Sequence, residues 1–373
     1  MGVNRSPATV SLDDLPLRDD LRGKTPYGAP QLDVPVQLNV NENAHPVPRE
    51  VTEAIAARLE AELPGLNRYP DREFTELRQK LAAYLSSAAP GVPELRPEQI
   101  WAANGSNEVL AHLLQAFGGP GRIALGFGPS YSMHPLIASG TGARFVESPR
   151  EPGYAITADL AAAAIDRHDP DVVFLCTPNN PTGTLTGLDV IEEVYDRARG
   201  IVIVDEAYAE FSRDPSQTAL RLLPGRPRLV VSRTMSKAFA FAGARLGYLA
   251  ADPAVCDALR LVRLPYHLSA LTQAAACAAL DHAPALLAKV EELKAQRERM
   301  ATALRELGLT VHSSDSNFLL FGGLDDPQAV WQQLLDRGVL IRNTGIDGHL
   351  RVNAGTEPET TAFLNAITEV MTR

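Results

Sequence analysis

DVVFLCTPNNPTG (171–183) and IVIVDEAY (201–208), joined by a helical stretch over Leu188–Arg199, decide the fold. VVFL and IVIV are continuous apolar runs with no polar residue interleaved. A strand reads that way when helices cover both faces of its sheet. Strand, helix and strand in direct succession form the unit that builds a parallel sheet.

The same alternation extends outward. Upstream, QIWAANGSNEVLAHLLQAFGG (99–119) runs from a short buried strand through Asn-Gly-Ser into a helix, RIALGFG (122–128) and ARFVESP (143–149) are strands, and Tyr131–Gly140 and Ile156–Arg167 are helices. Downstream come strands at RLVVSRTMS (228–236) and GARLGYLAA (243–251). Residues 66–255 are therefore expected to form a large α/β domain with a mainly parallel sheet. Helices are predicted at Pro48–Leu63 and Phe74–Leu85, with a short strand in VPVQLNVNEN (34–43). Past Pro265 the texture changes to an alanine-rich helix (Ser269–Asp281) and a long charged one (Ala285–Leu307). Then follow strands at 309–314 and 317–322, a helix at Pro327–Arg337, strands at 339–342 and 349–355, and a last helix from Pro358. This predicts a smaller α+β domain from residues 36–65 and 256–373. Residues 1–35, punctuated by Pro, Asp and Gly, read as an extended arm with a helical turn at Leu12–Leu17.

The 373 residues include 45% hydrophobic and 21% charged side chains, enough to bury a core and to exclude global disorder. Thirty-five basic against 45 acidic residues leave a net charge of -10, which repels nucleic-acid phosphates and anionic lipid. Neither a nucleic acid nor a membrane is expected as a partner, since no apolar run reaches transmembrane length. Cys176, Cys256 and Cys277 lie far apart without CxxC spacing, which fits a reducing, cytoplasmic setting. The eight histidines lack metal-ligand spacing, so no metal is expected.

Open α/β sheets place ligands at the carboxyl ends of their strands, and polar residues stand there. Asp205 follows IVIV directly, where an unpartnered carboxylate would be costly. It reads as a partner for a cationic ring nitrogen, or as a local cap or a salt bridge to an arginine, with Tyr208 three residues on. Asn180 follows the preceding strand, and a plain Asn-Pro turn accounts for it equally. Lys237 sits in SRTMSKAFAFAGARLGY (232–248), among small and apolar residues. A desolvated amine there loses its proton readily and can attack a carbonyl, while an ordinary surface lysine is the plain alternative. Gly105, Ser106 and Asn107 open a helix and would suit a phosphate, or Ser106 is simply a cap. GFGPSY (126–131) lacks the third glycine of a dinucleotide loop.

Together, TPNNPTG, VDEAY and SRTMSKAFAFAGARLGY resemble the fold-type I, pyridoxal-phosphate-dependent aminotransferases. NRYPDRE, WAANGSNEVL, PSYSMHP, LVRLPYHLS, SNFLLFG and GVLIRNTG–LRVNAGT extend the resemblance over nearly the entire chain, most closely to the histidinol-phosphate aminotransferase family in its actinobacterial form. The resemblance implies pyridoxal 5′-phosphate as cofactor, with Lys237 forming the internal aldimine and moving the proton between Cα and C4′. It implies Asp205 on the pyridinium nitrogen, keeping the ring an electron sink. Asn180 and Tyr208 would bond the ring's 3′ oxygen, and Tyr131 would stack on the ring. Gly105, Ser106, Asn107, Ser236 and Arg245 would hold the phosphate. Tyr69 would reach the neighbouring subunit's cofactor, making a homodimer with shared sites.

For the substrate end, the resemblance implies that Arg351 binds the α-carboxylate of glutamate or 2-oxoglutarate. Arg342 and Tyr27 would grip the phosphate of histidinol phosphate, with Asn43 also at the substrate. Arg342 alone would read as a surface ion pair. The chain departs from the family in having NENAHP (41–46) where a proline usually follows NEN, and in a short 342–351 segment. The implied reaction is transamination between glutamate and imidazole acetol phosphate in histidine biosynthesis. Aromatic amino-acid transamination, phosphothreonine decarboxylation on the same fold, and a non-catalytic binding role are the competing readings.

Overall fold

The computed structural model describes residues 10–26 and 28–372. Contacts divide the chain at residues 33 and 34 into a short N-terminal unit and the main body. In the first, single 3-10 turns at Leu12–Asp14 and Asp19–Leu21 are the described elements, each no longer than proline and glycine spacing permits.

After a two-residue strand, β1 (Val36–Gln37), the main body lays down β2 (Ile100–Ala103), β3 (Ile123–Gly128), β4 (Arg144–Pro149), β5 (Val172–Cys176), β6 (Ile201–Asp205), β7 (Leu229–Thr234) and β8 (Gly247–Ala251). These seven form one sheet in the order β2-β8-β7-β6-β5-β3-β4, parallel except where β8 pairs β7 and β2. Every residue of β5, β6 and β7 is buried, as their unbroken apolar runs require. The α/β fold with a mainly parallel sheet is thus present. Strand order reverses between β3 and β5, which opens a crevice at their carboxyl ends. Register sets Cys176 beside Asp205 and Asp205 beside Ser232, so β5 and β6 end level while β7 runs two residues further, to Thr234.

The carboxyl-terminal part carries β9 (Thr310–Val311), β10 (Phe318–Gly322), β11 (Val339–Leu340) and β12 (His349–Asn353). β10 is flanked antiparallel by β9 and β12, while β11 pairs parallel with β1. No described helix is long and apolar enough to cross a membrane.

Several elements differ from expectation. The strand expected over 34–43 shrinks to Val36–Gln37, because the chain turns at Asn41, whose φ is 58°. The helix expected over 285–307 is two, Ala283–Leu287 and Val290–Glu306. The buried positions Leu286, Val290, Leu293 and Arg297 keep helical spacing through the break, which hides it from periodicity. The strands expected at 309–314 and 339–342 cover only two residues each, and 243–251 pairs only from Gly247. A helix at Pro253–Val262 was not anticipated. Its start is written in Asp252-Pro253, where the Asp252 carboxylate accepts from Ala254 N at 2.9 Å and proline occupies the first turn.

Candidate active site

Asp205 ends β6 and is 2% exposed. Its carboxylate meets His134 Nε2 at 3.1 Å and accepts from Ser232 Oγ at 3.3 Å. His134, buried in the helix Met133–Gly140 that follows β3, stacks on Phe174 of β5 with ring centroids 4.4 Å apart. The salt bridge to an arginine weighed for Asp205 is therefore not what holds it. Sequence reading passed over His134, three positions after Tyr131 in PSYSMHP, because nothing in that stretch says which residue it meets. The available signal was a polar residue on the inner face of a short helix that begins at the crevice.

Lys237 follows β7 and is partly buried, its Nζ donating to Val40 O at 3.0 Å. Burial, then the positive charges of Arg351 and Arg245 against the opposing Glu42, pushes its amine down to about 8. An amine with that proton affinity is a usable nucleophile near neutrality.

Asn180 and Tyr208 meet in front of β5 and β6. Asn180 Oδ1 accepts from Arg351 Nη1 at 2.6 Å, which turns Asn180 Nδ2 toward the Tyr208 hydroxyl, 3.5 Å away. Asn180 is thus more than a turn residue. Burial raises the Tyr208 phenol above its usual range, so it stays protonated. A second amide, Asn41 Nδ2, donates to the same hydroxyl at 2.9 Å. Sequence reading chose Asn43 from this segment. Asn43 instead donates to Ala238 O at 3.2 Å and accepts from His45 N at 3.0 Å, tying the loop to the residue after Lys237.

Gly105 precedes the helix Ser106–Phe117 with φ 84°, and a Cβ there would collide with the Arg245 guanidinium. Ser106 is the first helical residue, and the cap position belongs to Gly105, so Ser106 does not cap the helix. Arg245 Nη1 reaches Ser236 Oγ at 3.3 Å, and Ser236 N donates to Thr234 Oγ1. Helix amides that have no intrahelical partner, a hydroxyl and a guanidinium thus surround one small space. Tyr131 Oη donates to Asn107 Oδ1 at 3.1 Å, joining the loop after β3 to this helix. The donors suit a phosphate and the carboxylate suits a ring nitrogen, so these residues fit pyridoxal phosphate.

Arg342 and Arg351 face each other in an isolated antiparallel bridge with reciprocal N–H···O bonds of 2.9 Å, which sends both side chains to one face. Arg351 is 7% exposed, donates to Asn39 O at 2.8 Å and lies over the Phe318 ring. The Arg342 guanidinium has no polar partner among the described residues, so the ion pair weighed for it is not formed. Tyr69 shares no bond with this cluster. It is 79% exposed and stacks on Tyr266 at 4.3 Å. Tyr27 lies outside the described residues.

A family model described as aminotransferase class I and II matches residues 34–367. The chain is 62% identical over 359 residues to a histidinol-phosphate aminotransferase of Paenarthrobacter aurescens, covering 95% of each. It is 58% identical over 368 residues to one of Streptomyces avermitilis, covering 97% of this chain and 98% of the relative. Among solved structures it is similar to a Sinorhizobium meliloti histidinol-phosphate aminotransferase in complex with pyridoxal-5′-phosphate, with a TM-score of 0.81, 23% identity and 91% of each chain covered. It is also similar to a Thermus thermophilus aspartate aminotransferase with maleate, with a TM-score of 0.77, 24% identity and 90% of this chain and 91% of that one covered. At these identities the likeness is one of fold.

Proposed function

We propose, from the premise that this chain belongs to the class I and II aminotransferases, that it is a pyridoxal-phosphate-dependent histidinol-phosphate aminotransferase. It moves an amino group between glutamate and imidazole acetol phosphate, giving 2-oxoglutarate and histidinol phosphate. The observation that carries this is the partly buried Lys237 amine, held down at about 8 by burial and by the charges of Arg351 and Arg245, in a chain that matches histidinol-phosphate aminotransferases over nearly its full length. When bound, the cofactor supplies an electron sink for charge developing at the substrate Cα.

The residue roles follow from chemistry and geometry. Asp205, steadied by His134 and Ser232, faces the ring nitrogen. Asn180 and Tyr208 face the 3′ oxygen, and Gly105, Ser106, Asn107, Ser236 and Arg245 take the phosphate, with Tyr131 against the ring. Lys237 holds the cofactor and then carries the proton between the two carbons it serves. Arg351 takes the glutamate α-carboxylate, while the Arg342 guanidinium, without a polar partner among the described residues and on the same face, takes the substrate phosphate. One pocket then serves a dicarboxylate and a phosphate monoester in turn.

We assign the active form as a homodimer. Leu261 (86% exposed), Leu264 (75%) and Tyr266, with Tyr69 stacked on it, leave apolar side chains in solvent, and among the described residues Tyr69 has no hydrogen bond to the site. Three unpaired cysteines support a cytoplasmic setting. We divide the main body, as its sheets suggest, into a large domain (66–255) and a small one (36–65 with 256–373).

The test is a half-reaction panel. Histidinol phosphate should discharge the visible band of the holoenzyme far faster than phenylalanine, tyrosine or phosphothreonine. A preference for phenylalanine would move the chain to aromatic transamination, and carbon dioxide release from phosphothreonine would move it to decarboxylation.

A further inference from the structure

We infer that Asn41 is a positioning residue that points the Tyr208 hydroxyl hydrogen at the cofactor. The inference rests on the proposed site, in which Tyr208 faces the ring's 3′ oxygen. A phenol oxygen accepts hydrogen bonds at its lone pairs and donates through one hydrogen. Asn180 is oriented by Arg351: its Oδ1 accepts from a guanidinium that can only donate, so its Nδ2 is the atom turned to Tyr208. Asn41 Nδ2 brings a second and shorter donation, 2.9 Å against 3.5 Å. With two amides donating to the oxygen, the hydroxyl hydrogen is left for a third group, and an anionic ring oxygen is the acceptor the site provides.

The backbone around Asn41 is built to hold this amide in place. Asn41 is 2% exposed and adopts φ 58°, a conformation asparagine tolerates better than most side chains. Its N–H donates to Asn353 Oδ1 at 3.2 Å and its carbonyl accepts from Asn317 Nδ2 at 3.1 Å. Asn353 N in turn donates to Leu38 O at 3.1 Å. Two buried asparagines from the carboxyl-terminal part thus clamp a third, and its side chain serves a tyrosine of the large sheet. The preceding residue, Val40, receives the Lys237 amine. One short segment therefore touches both the nucleophile and the phenol. Asn41 acts only through Tyr208: its Oδ1 accepts no hydrogen bond among the described residues, so the 2.9 Å contact with Tyr208 is the one hydrogen bond its side-chain amide makes there.

A hydroxyl that donates to the ring oxygen favours the state in which that oxygen bears full negative charge, which is the state with the lysine linkage unprotonated. Losing the donation therefore raises the proton affinity of that linkage, which a pH titration of the holoenzyme's visible absorption reads without turnover. Asn41→Gly removes the amide while suiting the left-handed backbone, and Asn41→Ala checks that the side chain rather than the backbone is responsible. Both should shift the titration upward by about half to one pH unit, roughly three- to tenfold in proton affinity. Tyr208→Phe should shift it at least as far, and adding Asn41→Gly to it should change nothing more. A downward shift in both Asn41 variants would mean the amide had been competing for the phenol hydrogen, which overturns the inference. So would no shift in either, or a shift in Asn41→Gly that persists undiminished on top of Tyr208→Phe. If Tyr208→Phe itself leaves the titration unmoved, the role of Tyr208 at the ring falls, and this inference with it.

Discussion

At the residue scale, the chemistry depends on charges kept in place by neighbours whose part the sequence does not reveal. His134 illustrates this. Replacing it with alanine leaves one oxygen of a buried carboxylate without its partner, and hydrogen bonds to charged groups contribute about 1.5–3 kcal/mol. His134→Ala should slow the glutamate half-reaction by about tenfold or more while the apoenzyme remains folded, and His134→Asn, which can still donate, should recover part of the loss. Stopped-flow discharge of the visible band decides it, and an unchanged rate would make His134 mere packing. Lys237 gives a pH expectation. Its amine is lowered to about 8, so the neutral, reactive form is present above that pH and lost as pH falls below it. Cofactor uptake by the apoenzyme should therefore rise to a plateau with an inflection near pH 8, instead of near the value of a free lysine. Lys237 and Asp205 were legible because charged residues after apolar strands demand a reason. His134 and Asn41 were not. One is an ordinary helix position until β5 and β6 come beside it, and the other depends on a backbone turn that no composition records.

Elements place these residues by how strands end. β5 and β6 stop level and β7 runs two residues further, so these strand ends and the turns after them deliver Asn180, Asp205 with Tyr208, and Lys237 to one crevice. The helix Ser106–Phe117 supplies the opposite wall through Gly105, whose missing Cβ leaves space for Arg245. Gly105→Ala would put a methyl group where the guanidinium lies and force a positive φ on a residue that resists it. Cofactor affinity, measured by equilibrium dialysis, should fall about tenfold or more, with little change in the far-ultraviolet spectrum; unchanged affinity would remove Gly105 and Arg245 from the phosphate site. The large-domain strands could be read directly because burial on both faces leaves an unmistakable apolar run. The two-residue strands β1, β9 and β11 could not, since so short a pairing depends on its neighbour more than on its own residues. The break at Leu287 and Val290 was hidden because both halves bury the same helical face.

At the scale of the whole molecule, apolar exposure remains to be explained. Leu261 and Leu264 stand in solvent beside the Tyr69–Tyr266 stack, an arrangement that suits a second copy of the chain. Leu261→Asp with Leu264→Asp should convert a dimer at micromolar concentration into monomers by light scattering, and weaken cofactor retention if Tyr69 serves the neighbour's site. A wild-type monomer of full activity would rule out shared sites. The arm before residue 34 could be read only as extended with one helical turn, because proline and glycine say where elements cannot form and little else.

On the proposed reading the paired arginines sort the two substrates, and one pair of stopped-flow titrations tests this most directly. Arg342 and Arg351 emerge on one face, the first without a polar partner among the described residues and the second tied to Asn180 and Asn39. Charge-assisted bonds to a partly desolvated phosphate are worth roughly 1.5–3 kcal/mol, so Arg342→Ala should lower kcat/KM for histidinol phosphate by about one to two orders of magnitude. Its effect on phenylalanine should be slight, since a phenyl ring offers the guanidinium no anion, and Arg351→Ala should strike the glutamate half-reaction hardest. Equal losses for histidinol phosphate and phenylalanine in Arg342→Ala would contradict a phosphate-binding role and leave Arg342 a structural residue.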